Sequence, residues 1–154
     1  MRVVECDDFV VEALDGVMVF VHSKNMIPVP QGESFLSFVQ SRSAEVSQMK
    51  SIAISDGGGP TSLQRKRLQE FVQTKTAPKA SVVTNSQIVR FAVAAITLFN
   101  SNVKVFDPRD MAEALRFLQL EKQQESGLLA AIEQMRNSVP LGKFKTLDMV
   151  LDRK

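Results

Sequence analysis

Two β-rich runs, residues 9–14 and 17–22, flank the dipeptide Asp15-Gly16. Asp-Gly between such runs is a strong short-range hairpin signal, so the chain is predicted to open with antiparallel strands. Pro28 and Pro30 interrupt the strand pattern. A helix over residues 31–49 then sets Phe35, Phe38, Val39, Val46 and Met49 on one face, with Arg42 inside the same stripe. Strand and helix alternate three times after that: strand 51–55, helix 62–73, strand 80–84, helix 86–99, strand 103–106 and helix 108–118. This rhythm predicts βαβ crossovers and a largely parallel sheet with flanking helices, made mixed by the leading hairpin. The fold class is α/β. Helix starts have local causes: Thr61 or Ser62 can cap the second helix, Asn85 or Ser86 the third, and Asp107 precedes Pro108 at a first helical position.

The βα rhythm stops at Glu121, but the apolar pattern does not. Leu128, Ala131, Ile132 and Met135 recur at helical spacing, and Val139, Leu141, Phe144, Leu147 and Val150 prolong the series. The chain is therefore divided into an α/β domain over residues 1–120 and a C-terminal helical extension over 121–154 that packs on the domain or on a partner. The helix 86–99 is apolar nearly all round, with only a narrow polar stripe at Arg90 and Thr97. A helix of that kind needs cover on more than one side. Burial between sheet and extension is the leading expectation, followed by a subunit interface or an apolar ligand groove.

Composition narrows the partners. At 154 residues, 44% hydrophobic and 23% charged, the chain fits one soluble core. A net charge of +2 does not call for nucleic acid, and helical geometry spreads Arg65, Lys66 and Arg67 around their axis. Cys6 is the sole cysteine and no Cys/His spacing suits zinc, which favours a reducing compartment, the cytoplasm. Acidic residues interrupt the N-terminal run, and no segment reaches the ~18 apolar residues of a membrane span, so no integral membrane segment is expected.

Candidate chemistry is sparse. His22 ends a strand and reads as an ordinary polar strand residue before a base or ligand. Cys6 reads as a structural thiol. Asp7-Asp8 suits a turn, while Glu113, Glu121, Glu125 and Glu133 read as solvated helix faces rather than a metal cluster. Arg42 either snorkels to solvent or meets an anion. No catalytic residue, metal or cofactor is assigned.

The stretch "SDGGGPTSLQRKR", residues 55–67, carries the most information about function. It is no phosphate cradle: its glycines are contiguous, Pro60 lacks an amide donor, and Asp56 repels anions. It does join a parallel strand's carboxyl end to a helix amino terminus, the side of an open α/β sheet where ligands and partners engage. The plain reading is a capped connection. The functional reading is a mobile recognition or regulatory loop of Asp56, Gly57, Gly58, Gly59, Thr61 and Ser62, with Arg65 or Lys66 one turn away to meet a phosphate on either hydroxyl.

These elements together resemble a known family. The order hairpin, helix, then repeated strand and helix resembles the STAS domain of bacterial anti-anti-sigma factors, a fold also compared with lipid-binding SEC14 domains. "SDGGGPTSLQRKRL", "SQIVRFAVAAITLFN", "VKVF" and "DMAEALRFL" are similar to uncharacterised bacterial STAS-like proteins, over about residues 3–120. The resemblance implies a non-enzymatic signalling or regulatory adaptor whose partner is a protein, such as a kinase or signalling protein, and it leaves a homodimer open. In anti-anti-sigma factors a phosphorylatable serine opens the helix after a strand ending near an aspartate. Asp56, Thr61 and Ser62 occupy those places here, with the triple glycine and Pro60 inserted between them. The alternative is a carrier of an apolar ligand or lipid.

Overall fold

Leu14 pairs with Val17 across Asp15-Gly16, and Gly16 takes φ +75°, a conformation that favours glycine. The hairpin is the seed of a larger sheet. A computed structural model describes residues 1–71, 78–97, 101–140 and 142–151. Its six strands lie side by side in chain order: β1 (Arg2–Glu5), β2 (Phe9–Leu14), β3 (Val17–His22), β4 (Lys50–Ser55), β5 (Ala80–Thr84) and β6 (Val103–Phe106). Strands β1 to β3 are antiparallel, and β3 to β6 are parallel. The fold is α/β with a mixed sheet and an N-terminal hairpin. Strand β1 is an addition to the sequence reading. Its charged ends hide the alternation, but Arg2 Nε reaches Glu12 at 2.6 Å and supports the pairing from the sheet edge.

The segment 31–49 is not one helix. Helix α1 (Val29–Ser41) takes Pro30 into its first turn, where a missing amide costs nothing, and ends at Arg42, whose φ of −131° leaves the helical region. Ser41 Oγ donates to Phe38 O at 2.9 Å and competes with the helical ladder at this end. A short α2 (Ser43–Val46) then turns the chain toward β4. Helices α3 (Ser62–Phe71) and α4 (Gln87–Thr97) complete the crossovers. Positions 72–73 of the second predicted helix, Leu98, Phe99, Asn100 and Leu141 lie outside the described residues.

Consecutive crossovers of one hand, advancing in one direction along a sheet, put their helices on one face. The remaining helices take the other face. A 3-10 turn at Pro108–Asp110, started by Asp107 accepting from Arg109 N at 2.9 Å, leads into α5 (Met111–Leu118). After Gln119, at φ 52°, the chain enters α6 (Lys122–Ser138) through a Glu121/Gln124 capping box, and α7 (Lys145–Leu151) follows. Gln124 Nε2 also donates to Asp15 O at 3.3 Å, tying α6 to the hairpin turn.

Strand alternation divides the apolar residues between the two faces. Val10, Val17, Val19, Val21, Ile52 and Ile54 meet Leu118, Leu128, Ile132, Met135 and Leu147 on the α5–α7 side. Phe9, Val11 and Met18 meet Ile27, Phe35, Val39 and Met49 on the other. Helix α6 lies on β2 and β3, and α7 on β4 and the 3-10 turn, so the extension shares the core of the sheet. The expectation that α4 is buried between sheet and extension is overturned. Helix α4 packs chiefly on β6 and β5, and its Ile88 and Phe91 are 82% and 75% exposed. The reason is topological: the extension follows α5, which is already on the opposite face.

Candidate functional site

The loop after β4 is a built turn. Ser55 Oγ accepts from Gly57 N at 3.0 Å and donates to Gly58 O at 2.9 Å. Gly58 N donates to Ser23 O at 2.8 Å, and Gly59 O accepts from Ile27 N at 3.0 Å. Gly57 holds φ +130°, and a Cβ on Gly58 would collide with the carbonyl oxygens of Asn25 and Ser23. The glycines allow two loops to touch, the close-approach role that only a residue without a side chain can fill.

Asp56 leaves this turn and points to the extension. Its carboxylate accepts from Lys145 N at 2.7 Å and Thr146 N at 2.6 Å, covering two of the free amides at the start of α7. Thr146 Oγ1 lies 3.0 Å from Ser55 O and 2.9 Å from Asn85 Oδ1, so α7 is fastened to the carboxyl ends of both β4 and β5. Thr146 and Asn85 escaped the sequence reading as partners of this loop. No local pattern announces a contact between residues 90 positions apart.

Thr61, Ser62 and Arg65 do come together. Thr61 is the cap of α3: its Oγ1 accepts from Gln64 N at 3.1 Å, and Gln64 Oε1 accepts from Thr61 N at 2.8 Å. This reciprocal box occupies the threonine hydroxyl. Ser62 is exposed, and its Oγ accepts from Arg65 Nη2 at 3.1 Å, while Arg65 Nη1 donates to Pro60 O at 3.0 Å. Of the two hydroxyls considered, the one open to solvent beside a guanidinium is Ser62. Arg67 turns elsewhere and pairs with Glu33 of α1.

A polar cleft of about 420 Å³ lies between these loops, lined by Ser23, Lys24, Asp56, Asn85, Lys143 and Lys145. Its positive charge is offset at close range. Asp56 is inside it, and Lys143 Nζ stands 3.5 Å from Asp8. Hydrogen bonds from Ser23 and then Asn25 are the main causes holding the Asp8 carboxyl below its ordinary pKa.

The remaining candidates separate. Arg42 is exposed and lies over the Phe38 ring at 5.4 Å, the snorkelled arrangement. Cys6 is half-buried and donates weakly to Phe9 O at 3.5 Å. His22 is buried against Phe9, ring centroids 4.9 Å apart, and burial lowers its pKa to about 4. Among the described residues no three His, Cys, Asp or Glu side chains converge as a metal site would need, and no helix is long and apolar enough to cross a membrane. Residues Ile88, Phe91, Ala92 and Ala95 repeat at i, i+3, i+4 and i+7 and are all exposed, which gives α4 an uncovered apolar stripe. Comparison of the chain with models of known protein families, with curated proteins and with solved structures finds no match.

Proposed function

We propose that the protein is a non-enzymatic, STAS-like regulatory adaptor of the bacterial cytoplasm that acts by binding a protein partner. The observation that carries this reading is the apolar stripe of α4. Large side chains such as Ile88 and Phe91 standing more than seven-tenths out of the surface are disfavoured in water unless something covers them. A helix face with anchors at i, i+3, i+4 and i+7 suits a protein surface.

Regulation in this reading falls on Ser62 rather than Thr61. A phosphate on Ser62 adds negative charge at the first turn of α3, where the helix dipole favours it, beside a guanidinium already in contact. Thr61 is a poor acceptor because modification breaks its cap. The test is capture from native lysate with wild-type protein, the double variant Ile88→Glu/Phe91→Glu, and Ser62→Asp, each checked for folding by circular dichroism. Loss of a specific partner in the double variant supports the adaptor. An identical partner set for all three overturns it. Sedimentation of the same proteins shows whether the stripe joins two copies.

A further inference from the structure

Helix α4 buries Val93, and the opposite side of its turn carries Ile88, Phe91, Ala92 and Ala95. Among the described residues Ile88 and Phe91 are the two most exposed large apolar side chains of the protein. The stripe is also neutral. Arg90 is the only charged residue of α4, and it is half-buried and pairs with Asp107 at 3.6 Å. The order of the four stripe residues, two large and then two small, has a symmetry of its own. When two copies of a helix pack antiparallel about a twofold axis, facing residues lie equally far from that axis in opposite directions along the sequence. With the axis between positions 91 and 92 the stripe maps onto itself: Ile88 faces Ala95 of the partner subunit, and Phe91 faces the partner's Ala92. Every large side chain then meets a small one, the alternation by which facing layers interdigitate. A parallel pairing would instead set Ile88 and Phe91 each against its own copy and leave the alanines facing one another across a gap.

We propose that the α4 stripe binds a second copy of this chain, the two helices running antiparallel about a twofold axis. This rests on the reading of the stripe as a protein-binding face and names its occupant. Charge favours the choice. A twofold contact brings like residues together near the axis, which a charged patch would make repulsive and this neutral one does not. The same neutrality gives an acidic or basic partner no opposite charge to pair with. The contact is small. Four side chains, two of them alanine, cover less than the roughly 800 Å² per partner of a standard interface, so the pairing is weak and reversible, with a dissociation constant on the order of 50 µM.

Sedimentation equilibrium of the purified full-length protein, from about 1 to about 500 µM, tests the pairing. The mean mass should climb from the 17.1 kDa of one chain toward twice that value. Ile88→Glu/Phe91→Glu should weaken the dimer by about tenfold or more, while Leu63→Glu, at an exposed apolar residue of α3, should leave it unchanged. Cross-linking reads the register. Across this twofold, position 92 lies about 1.5 Å along the helix from its own copy and position 95 about 10 Å. Ala92→Cys should therefore close an intermolecular disulfide on oxidation and Ala95→Cys should not, with the wild-type chain, whose sole cysteine is Cys6, as control. A wild-type chain that stays monomeric to about 500 µM overturns the proposal. So does a dimer untouched by the double variant, equal cross-linking at the two positions, or none at Ala92→Cys. Failure here is separable from failure of the adaptor reading: a monomer whose lysate partner depends on the stripe overturns the dimer alone. A stripe-dependent dimer whose lysate partners ignore the stripe upholds the dimer and overturns the adaptor.

Discussion

On the face covered by α5, α6 and α7, Val10, Val19, Ile52, Leu128, Ile132, Met135 and Leu147 are fully buried in one cluster. On the face covered by the crossovers, Phe9 and Val11 are packed as tightly, yet the sheet beyond β3 turns to Ser51, Ala53, Ala80 and Val82 beside a cavity, and α4 leaves Ile88 and Phe91 in solvent. The same strands serve both faces through a period of two. What differs is the volume of the alternate side chains and whether a later element returns to cover the helices. One face is therefore filled by the later helices, while the other keeps unfilled space and an exposed apolar stripe.

Removing the extension should break this division most severely. A chain ending at Leu120 loses Leu128, Ile132, Met135, Phe144 and Leu147 from the core and uncovers the β2–β4 face. It is expected to show no cooperative thermal unfolding and to aggregate, measured by calorimetry and light scattering. A soluble truncated protein with an unchanged melting temperature would refute the unequal roles. Single substitutions sharpen the contrast. Ile132→Ala should cost about 2–5 kcal/mol in urea denaturation, because it opens a hole in a filled core. Ala53→Val, beside existing space on the other face, should change stability by less than about 1 kcal/mol.

Acid should act on the cavity face through His22. Burial holds its pKa at about 4 in the folded protein against 6.5 as the ordinary value. Between those values the unfolded chain binds the extra proton, so stability falls as pH drops from about 6.5 to about 4 and this contribution levels off below it. The full step is roughly 3 kcal/mol. His22→Phe should flatten it, as followed by denaturation midpoints across pH. A variant that keeps the wild-type slope would locate the acid sensitivity elsewhere. Effects below those of the core and of His22 belong to the loop: Asp56→Ala and Thr61→Ala should each cost about 0.5–2 kcal/mol through a lost helix cap. Hydrogen exchange should separate them, with faster exchange at the amides of Lys145 and Thr146 in the first and at Gln64 in the second.

Much of the frame was legible in the chain. Asp15-Gly16 marked the hairpin, the alternation of strand and helix marked the crossovers, and the caps were legible as Thr61 or Ser62, Asn85 or Ser86, and Asp107, of which Thr61, Ser86 and Asp107 accept a backbone amide. These signals act within three or four residues, which is why they survive without tertiary information. Strand β1 was missed because its charged ends break the apolar period, and the break at Arg42 was missed because no glycine or proline marks it. The loop after β4 was singled out by its position, but its residues take separate structural duties: Thr61, Ser62 and Arg65 gather at α3, whereas Asp56 caps α7.

What the sequence determined by itself is the order of elements, the hydrophobic face of each, and the chemistry available at the loop after β4. Only the tertiary structure decided which face of the sheet received the extension. Crossover handedness had already filled one side, and the chain left α5 on the other. That choice left the outer face of α4 exposed, placed the amides of α7 against Asp56, and set the buried His22 ring, stacked on Phe9, beside space left by small side chains on β4 and β5. Each of these depends on volumes and directions contributed by several distant segments at once, and no local window of residues contains that sum.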